Sequence, residues 1–241
     1  MLKPETQSLW DEIRDQPALH GFVLIGGTAL AMHIQHRVSE DLDIAWPGHK
    51  LPRQRIAALR KILQLNGHVV AEADPIEAIE EFEDSGLDLH DFNQNFIVDQ
   101  AVKLTFMAPE EEVLTQLNAG NPGALRIASK EEIFRLKCIA CANRSKTRDW
   151  FDMYTLFERG DFQPTDMIHP FENAGLMQKL DIALTRMCGA KPELGDEGYV
   201  QLLDNPPTLE KMRQRFMQAR DEIEIELAAR RAKASGPKQK L

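Results

Sequence analysis

Two short segments near the start of the chain carry residues whose types and spacing suit phosphate chemistry. Gly26 and Gly27 follow an apolar run typical of a buried strand, and Asp41 and Asp43 lie further on, two positions apart. A glycine turn that opens a helix presents backbone N–H groups, which bind anions. Side chains at i and i+2 of a strand share one face, so both carboxylates are placed to hold Mg²⁺ beside a nucleoside triphosphate. We therefore expect an anion site at Gly26, Gly27 and Thr28, and a metal site at the two aspartates.

A second set of charged residues lies in the other half of the chain. Lys137, Cys141, Arg144 and Arg148 follow spacings of four, three and four residues. This spacing places them on one helical face if the helix continues through all of them. Asp149 follows directly, at or near the start of a new helix. A cationic stripe that ends beside a carboxylate suits a triphosphate, and an ordinary solvent-exposed helix face is the alternative.

The pattern of the first half predicts a mixture of strands and helices. Strands are predicted at 22–25, 41–46 and 69–71, with a hairpin of 91–97 and 102–107 turned at Asp99 and Gln100. Helices are predicted at 9–14, at 28–35 with Thr28 as N-cap, and at 52–65 with Ile56, Leu59 and Leu63 on one buried face. The acidic stretch 75–86 is left without an assignment.

The second half has helical patterns, and strand-like runs stop at Pro109. Ser129 and Glu132 form a capping box that opens a helix through Asn143. Further helices are predicted at 148–158, over most of 164–187, and from Thr208 onward. The predicted fold class is therefore α/β (α+β). A domain with a small mixed sheet occupies 1–110, and an all-helical domain occupies 111–241, with a basic tail at 230–241. The loop at 118–123 marks the junction.

Composition excludes some classes of protein and leaves others open. The 241 residues carry a net charge of −9, but residues 71–91 alone hold nine acids and no Lys or Arg. The acidity is thus local and leaves a nucleic-acid partner open. No apolar run is long enough to span a membrane, and the start of the sequence has no apolar signal core. Three cysteines give no disulfide framework, so we expect a cytoplasmic protein.

The motifs together resemble one family, the AbiEii-type nucleotidyltransferases of the polymerase-β-like superfamily. That family includes toxins of type IV toxin–antitoxin systems and phage-defence loci. The resemblance rests on segments 26–30, 37–43 and 148–152 with Lys137 and Arg144, which occur in the expected order. These segments frame roughly residues 20–160, and the later helices carry no motif that can be matched.

The resemblance implies a role for each matched residue. Gly26, Gly27 and Thr28 would contact the triphosphate, and Asp41 and Asp43 would bind Mg²⁺. Lys137 would contact phosphate or stabilise charge during transfer. Asp149 would be a catalytic or positioning acid. The other nucleotide-binding residues would be Ser39, Arg144 and Arg148. Ser39 would pack or hydrogen-bond near the two acids, and Arg37 also matches a motif position.

One position departs from the pattern of the wider superfamily. A third metal-binding carboxylate often lies on a later strand, and the strand 102–107 offers Thr105 there. Asp91, Asp99 or Asp149 are alternative sources of an acid. A degenerate member without catalysis is therefore an alternative reading.

The resemblance implies a Mg²⁺-dependent enzyme that moves an NMP unit from an NTP to an acceptor hydroxyl and releases pyrophosphate. The implied acceptor is RNA, particularly a tRNA 3′ end, and a protein hydroxyl or a small molecule stays open. The implied role is growth inhibition restrained by a cognate antitoxin. The alternatives are a catalytically weak nucleotide-binding regulatory module and a small-molecule modifier of the antibiotic nucleotidyltransferase type.

Overall fold

The computed structural model describes residues 1–118 and 123–234. The chain divides into two compact units, Met1–Ile133 and Phe134–Leu241. The predicted loop at 118–123 and basic tail at 230–241 lie partly outside the described residues. The domain boundary predicted after residue 110 stays a prediction.

The first unit is built on one six-stranded mixed sheet. Its strands are β1 (Val23–Ile25), β2 (Leu42–Ala45), β3 (Val70–Glu72), β4 (Asn93–Val98), β5 (Val102–Met107) and β6 (Arg126–Ile127). They lie in the order β3-β4-β5-β2-β1-β6. β2 runs parallel to β5 and β6 runs parallel to β1, whereas the other pairs are antiparallel. The mixed α/β class predicted from the sequence is confirmed.

Helices of the first unit connect these strands. They are α1 (Pro4–Ile13), α2 (Gly26–Ile34), α3 (Arg53–Leu65), α4 (Ile76–Asp84) and α5 (Glu111–Leu114). The predicted buried face of α3 is confirmed, because Ile56, Leu59 and Leu63 are each 1% exposed. The predicted hairpin turn is also confirmed, since Asp99 and Gln100 have φ values of 51° and 57° between β4 and β5.

The acidic stretch that had no assignment forms α4, and none of that helix's residues is buried. Its carboxylates are therefore solvated, which agrees with the local character of the negative charge. Asp74, just before α4, is different, because its side chain is only 5% exposed.

The strand β6 shows that strand pairing continues beyond Pro109, contrary to the sequence pattern. Two residues are too few to produce a periodic signal, and this strand forms because β1 offers it an edge. The polar contacts that follow β6 fix its position. Arg126 donates from Nη1 and Nη2 to the two carboxylate oxygens of Glu132, each at 2.8 Å.

Glu132 also completes the predicted capping box at the start of α6 (Lys130–Asn143). The Ser129 N–H donates to Glu132 Oε2 at 2.7 Å, and the Glu132 N–H donates to Ser129 Oγ at 3.2 Å. Burial would raise the pKa of Glu132, which is 1% exposed, but bonds from Arg126, Ser129 and Asn118 lower it. The capping box thus joins a local helix start to the strand before it.

The second unit consists of helices over the residues described. After α6 come α7 (Thr147–Glu158), α8 (Ile168–Asn173), α9 (Met177–Gly189) and α10 (Leu209–Ala234). The Lys211 N–H donates to Thr208 Oγ1 at 3.1 Å, which confirms Thr208 as the cap of the last helix. In the predicted apolar stripe of α10, the four buried residues are Met212, Phe216, Ala219 and Ile223. No helix in the described part of the chain is long and apolar enough to cross a membrane.

Candidate active site

The junction of β1 and α2 brings a carboxylate and a guanidinium against two glycines. Gly26 has φ +75°, and a Cβ there would lie 2.6 Å from Asp43 Oδ2. A Cβ on Gly27 would lie 2.2 Å from Arg37 Nη2. A larger residue at either position would displace one of these two side chains, and Gly26 also adopts a backbone conformation that other residues rarely accept. The glycine pair therefore serves close approach as well as turning the chain.

Asp41 and Asp43 lie at the start of β2, and only Asp43 is inside the strand, which was predicted to begin at Asp41. Asp43 lies in β2 opposite Ile25 of β1, and Asp41 directly precedes the strand. Both are partly exposed. The first N–H groups of a helix have no acceptor within that helix, so the start of α2 beside Asp43 combines anion donors with a carboxylate.

The sequence predicted Thr28 as the N-cap of α2. This prediction is wrong, because the helix already begins at Gly26. Its hydroxyl lies 2.7 Å from Ser39 Oγ and donates to the backbone carbonyl of Asp41. Thr28 and Ser39 are 2% and 5% exposed. These hydroxyls thus hold the segment that carries Asp41 against α2. Ser39 was predicted to pack or hydrogen-bond near the two acids, and it does so through its hydrogen bond with Thr28.

Thr105 lies beside Asp43, on the neighbouring strand. The parallel register of β2 and β5 pairs Asp43 with Thr105. Two of the three acids considered as replacements have other partners in the first unit. Asp91 pairs with Lys50 at 2.7 Å, and Asp99 pairs with His68 at 2.6 Å. The strand position next to Asp43 therefore holds a hydroxyl where the wider superfamily often has a carboxylate.

In the second unit, Lys137 is the centre of a buried ion-pair network. Its Nζ lies 2.6 Å from Asp149 Oδ1 and 2.6 Å from Asp152 Oδ2. Arg144 reaches the same carboxylate, with Nε 2.7 Å from Asp149 Oδ2. The side chains of Lys137, Asp149 and Asp152 are 7%, 3% and 0% exposed, whereas that of Arg144 is 50% exposed. We call these four residues the lysine network.

The charge state of Asp149 follows from its partners in the lysine network. Burial alone would raise the pKa of this carboxyl, but Lys137 and Arg144 outweigh burial and lower it. Asp149 is therefore an anion that holds two cations. Arg144 is the member of the lysine network whose side chain is most exposed to solvent.

Arg148 does not continue the predicted stripe, because α6 ends at Asn143 and α7 begins at Thr147. Its Nε donates to the Gly198 carbonyl at 2.9 Å, and its Nη1 lies 3.0 Å from Glu197 Oε2. Arg148 therefore lies on a different helix from Lys137, whereas the prediction that Asp149 lies near a helix start is confirmed.

Sequence reasoning left several of these contacts unassigned. Arg37 and Asp152 lie within the matched motifs, but no partner for either was predicted from the sequence. In the structure, Arg37 lies against Gly27, and Asp152 lies 2.6 Å from Lys137 Nζ. Asp196 accepts from the Thr147 N–H at 3.1 Å and from Thr147 Oγ1 at 2.6 Å, and so caps α7. No local pattern predicts a cap that comes from residues so distant in sequence.

The comparison with protein families decides the identity of the chain. Residues 8–238 match the family model described as nucleotidyl transferase AbiEii toxin, type IV TA system. The chain belongs to this AbiEii family. The family is one of nucleotidyltransferase toxins, and its type IV systems pair the toxin with an antitoxin. The chain is accordingly a nucleotidyltransferase, as the motifs predicted.

Solved structures share the family's fold. JHP933 from Helicobacter pylori superposes with a TM-score of 0.52 at 20% identity, covering 98% of this chain and 100% of that chain. MenT4, the nucleotidyltransferase toxin Rv2826c from Mycobacterium tuberculosis H37Rv, has a TM-score of 0.52 at 14% identity, covering 88% and 80%. At these identities the likeness shows the fold alone. A search of the curated proteins gave no match.

Proposed function

We propose that this AbiEii family member transfers an NMP unit from an NTP to an acceptor hydroxyl, with Mg²⁺ held by Asp41 and Asp43. The observation that carries the proposal is the contact of the Asp43 carboxylate with the glycine turn that begins α2. A carboxylate and a helix N-terminus at one place suit a cation and the phosphates that accompany it.

The residues present fit a magnesium ion. Both donors are hard carboxylate oxygens, and Gly26 removes the Cβ that would collide with Asp43. Across residues 1–118 and 123–234, no group of three or more His, Cys, Asp or Glu side chains is placed to hold a metal. A two-carboxylate site matches the habit of Mg²⁺, which keeps waters and takes further ligands from substrate phosphates. When bound, Mg²⁺ neutralises charge on the triphosphate.

The protein's own contribution is to hold and orient the triphosphate. Backbone N–H groups of Gly26, Gly27 and Thr28 donate to phosphate oxygens, and the Thr28 and Ser39 hydroxyls keep the Asp41 backbone in place. Nucleotide transfer needs little covalent chemistry from a protein, so positioning and charge stabilisation account for most of the rate.

The lysine network supplies the cationic part of the proposed function. Asp149 fixes Lys137 and Arg144 through bonds of 2.6 and 2.7 Å. We assign Arg144 to phosphate binding because half of its side chain is exposed. Lys137 acts by holding Asp149 and Asp152 in place, and Arg148 contributes by fixing the residues at 197 and 198.

The acceptor we propose is RNA, at a tRNA 3′ end. The support is the family's place among toxins, since modification of a tRNA 3′ end stops its aminoacylation and therefore growth. The antitoxin partner that the family implies would restrain this activity.

The test incubates the protein with Mg²⁺, each α-³²P-labelled NTP in turn, and a tRNA pool. A matched pool has its 3′-terminal ribose oxidised with periodate, which destroys the acceptor hydroxyls. We expect label on intact tRNA and none on oxidised tRNA. Equal labelling of both pools would exclude the 3′ end, and label on protein or on small molecules of a lysate would replace the RNA acceptor.

A nucleotide-binding regulatory module is the second candidate, and Thr105 beside Asp43 is the observation that favours it. NTP binding without transfer to any acceptor in the same experiment would support this module.

A further inference from the structure

A buried chain of polar side chains begins next to Asp43 and runs across the sheet. Thr105 pairs with Asp43 on one side and with Asn95 on the other, so all three side chains share one face of the sheet. Thr105 Oγ1 donates to Asn95 Oδ1 at 3.0 Å, and Asn95 Nδ2 donates to Asp74 Oδ1 at 2.8 Å. Asp74 Oδ2 lies 3.2 Å from His90 Nε2. Thr105 and Asn95 are 5% and 6% exposed.

The chemistry of Asp74 sets the direction of every hydrogen bond in this chain. An ionised carboxylate only accepts, so the Asn95 amide must turn its NH₂ group toward Asp74. The backbone N–H of Asn95 also donates to Asp74 Oδ1, at 2.9 Å. The Asn95 carbonyl oxygen then faces Thr105, and the Thr105 hydroxyl has to donate its proton to it. We call Asp74, Asn95 and Thr105 the relay.

We propose that the relay holds the Thr105 proton away from Asp43, so that Thr105 presents an acceptor oxygen beside the metal site. A hydroxyl next to a carboxylate would otherwise donate to it and compete with a cation for its oxygens. Asp74 and Asn95 are positioning residues that act through Thr105. This inference rests on the proposed function, because it assumes that Asp43 binds the metal.

The test uses Asp74→Asn, which keeps the shape of the side chain but allows the relay to reverse. With an amide at position 74, Asn95 can flip, and the Thr105 hydroxyl can then donate toward Asp43. Mn²⁺ alone is the probe, and free Mn²⁺ is measured by electron paramagnetic resonance. We expect the Kd for Mn²⁺ to rise about tenfold, the scale at which partners of metal ligands usually act. An unchanged Kd would overturn the relay.

A double mutant separates the relay from a simple change of charge. Thr105→Val removes the hydroxyl, so adding Asp74→Asn to it should cause no further loss of Mn²⁺ affinity. A loss of equal size in the Thr105→Val background would show that Asp74 acts through its charge, and would overturn the proposal. Thr105→Ser keeps the hydroxyl and should keep the wild-type Kd.

Two controls keep the outcomes distinct. Val102→Ala destabilises the same strand through a residue 3% exposed whose side chain lies on the opposite face, and it should leave the Kd unchanged. Asp43→Asn should abolish specific Mn²⁺ binding. If Asp43→Asn binds Mn²⁺ like the wild type, the proposed metal site is wrong. If Asp43→Asn loses Mn²⁺ binding but Asp74→Asn binds Mn²⁺ like the wild type, the proposed metal site stands and the relay is wrong.

Discussion

Gly26 is the residue on which the proposed metal site depends most directly, because its missing side chain lets Asp43 lie against the start of α2. Gly26→Ala puts a Cβ 2.6 Å from Asp43 Oδ2 in a residue with φ +75°. We expect loss of Mn²⁺ binding and of nucleotide transfer, with a cost in the free energy of unfolding of about 1–2 kcal/mol from the left-handed backbone.

Gly175→Ala is the matched control for this change. Gly175 has φ +68°, but nothing lies within 4 Å of a Cβ placed there. Its unfolding cost should be similar, and its Mn²⁺ binding and transfer should match the wild type. Equal activity in the two variants, measured at equal folded fraction, would show that the Gly26–Asp43 contact does not matter.

The lysine network makes a different prediction at the residue scale, because Lys137 is buried between two carboxylates. Lys137→Met leaves Asp152 without this partner, and removing one member of a buried ion pair typically costs about 3–5 kcal/mol. Arg144→Met should cost less, since that side chain is half exposed. Urea unfolding measures both, and equal small losses would mean that Lys137 is not a structural cation.

His68 gives the first unit a pH dependence. Hydrogen bonds to Asp99 and then Glu12 raise the pKa of His68, and the bond from His68 lowers the pKa of Asp99. The stabilisation from His68 is complete below its unfolded pKa of about 6.5 and is lost as pH rises through the raised folded value. The stabilisation from Asp99 holds above its unfolded pKa of about 3.9 and is lost as pH falls below it.

The pair should therefore stabilise the fold most between about pH 4 and pH 6.5. We expect the free energy of unfolding to fall between pH 6 and pH 9 by less in His68→Gln than in the wild type. His49→Gln, at an exposed position, should retain the wild-type slope. Identical slopes in all three proteins would contradict the ion pair.

At the scale of elements, Glu132 joins β6 to α6 by accepting from Arg126, Ser129 and Asn118. Glu132→Gln removes the negative charge of this buried side chain and so weakens the hydrogen bonds that it accepts. We expect a loss of about 1–3 kcal/mol in the free energy of unfolding. Glu131→Gln changes the exposed neighbour in the same helical turn and should cost far less. Matching unfolding midpoints for the two variants would rule out Glu132 as the link.

The elements that the sequence predicts well are those that local chemistry specifies. Ser129 and Glu132 lie three residues apart, and the hairpin turn at Asp99 and Gln100 is set by its own strands, so both could be predicted. The contacts that escaped prediction join residues distant in sequence. Asn95 donates a hydrogen bond to Asp74, and Asp196 caps the helix that begins at Thr147. Only the folded chain brings these residues together, so no periodicity or spacing in the sequence predicts the contacts.

The same limit applies to the candidate site. Asp41, Asp43 and the glycines could be proposed because a strand, a turn and a helix start follow one another in the chain. The break between α6 and α7 agrees with the predicted helix end at Asn143 and the predicted helix at 148–158, so the alternative of one continuous helical face from Lys137 to Arg148 is wrong. Thr105 was located by its strand, but the direction of its hydrogen bond needed the structure.

At the scale of the whole molecule, the net charge of −9 is a poor guide to partners. Nine acids lie within 71–91, so the remainder of the chain is neutral overall. Most of these acids are exposed on or near α4. An RNA phosphate backbone is thus repelled by one local surface and not by the protein as a whole. Membership of the AbiEii family and this charge distribution are compatible with an RNA acceptor.

The most direct test of the central claim compares Asp43→Asn with Asp84→Asn. Asp84 is an exposed aspartate of α4, so the two proteins carry the same change of charge. The measurement is the Mg²⁺-dependent binding of a non-hydrolysable NTP analogue, followed by transfer from the corresponding labelled NTP. We predict that Asp43→Asn loses both by at least about a hundredfold while remaining folded, since a direct ligand should matter more than its outer partners. Wild-type binding and transfer in Asp43→Asn would contradict the account.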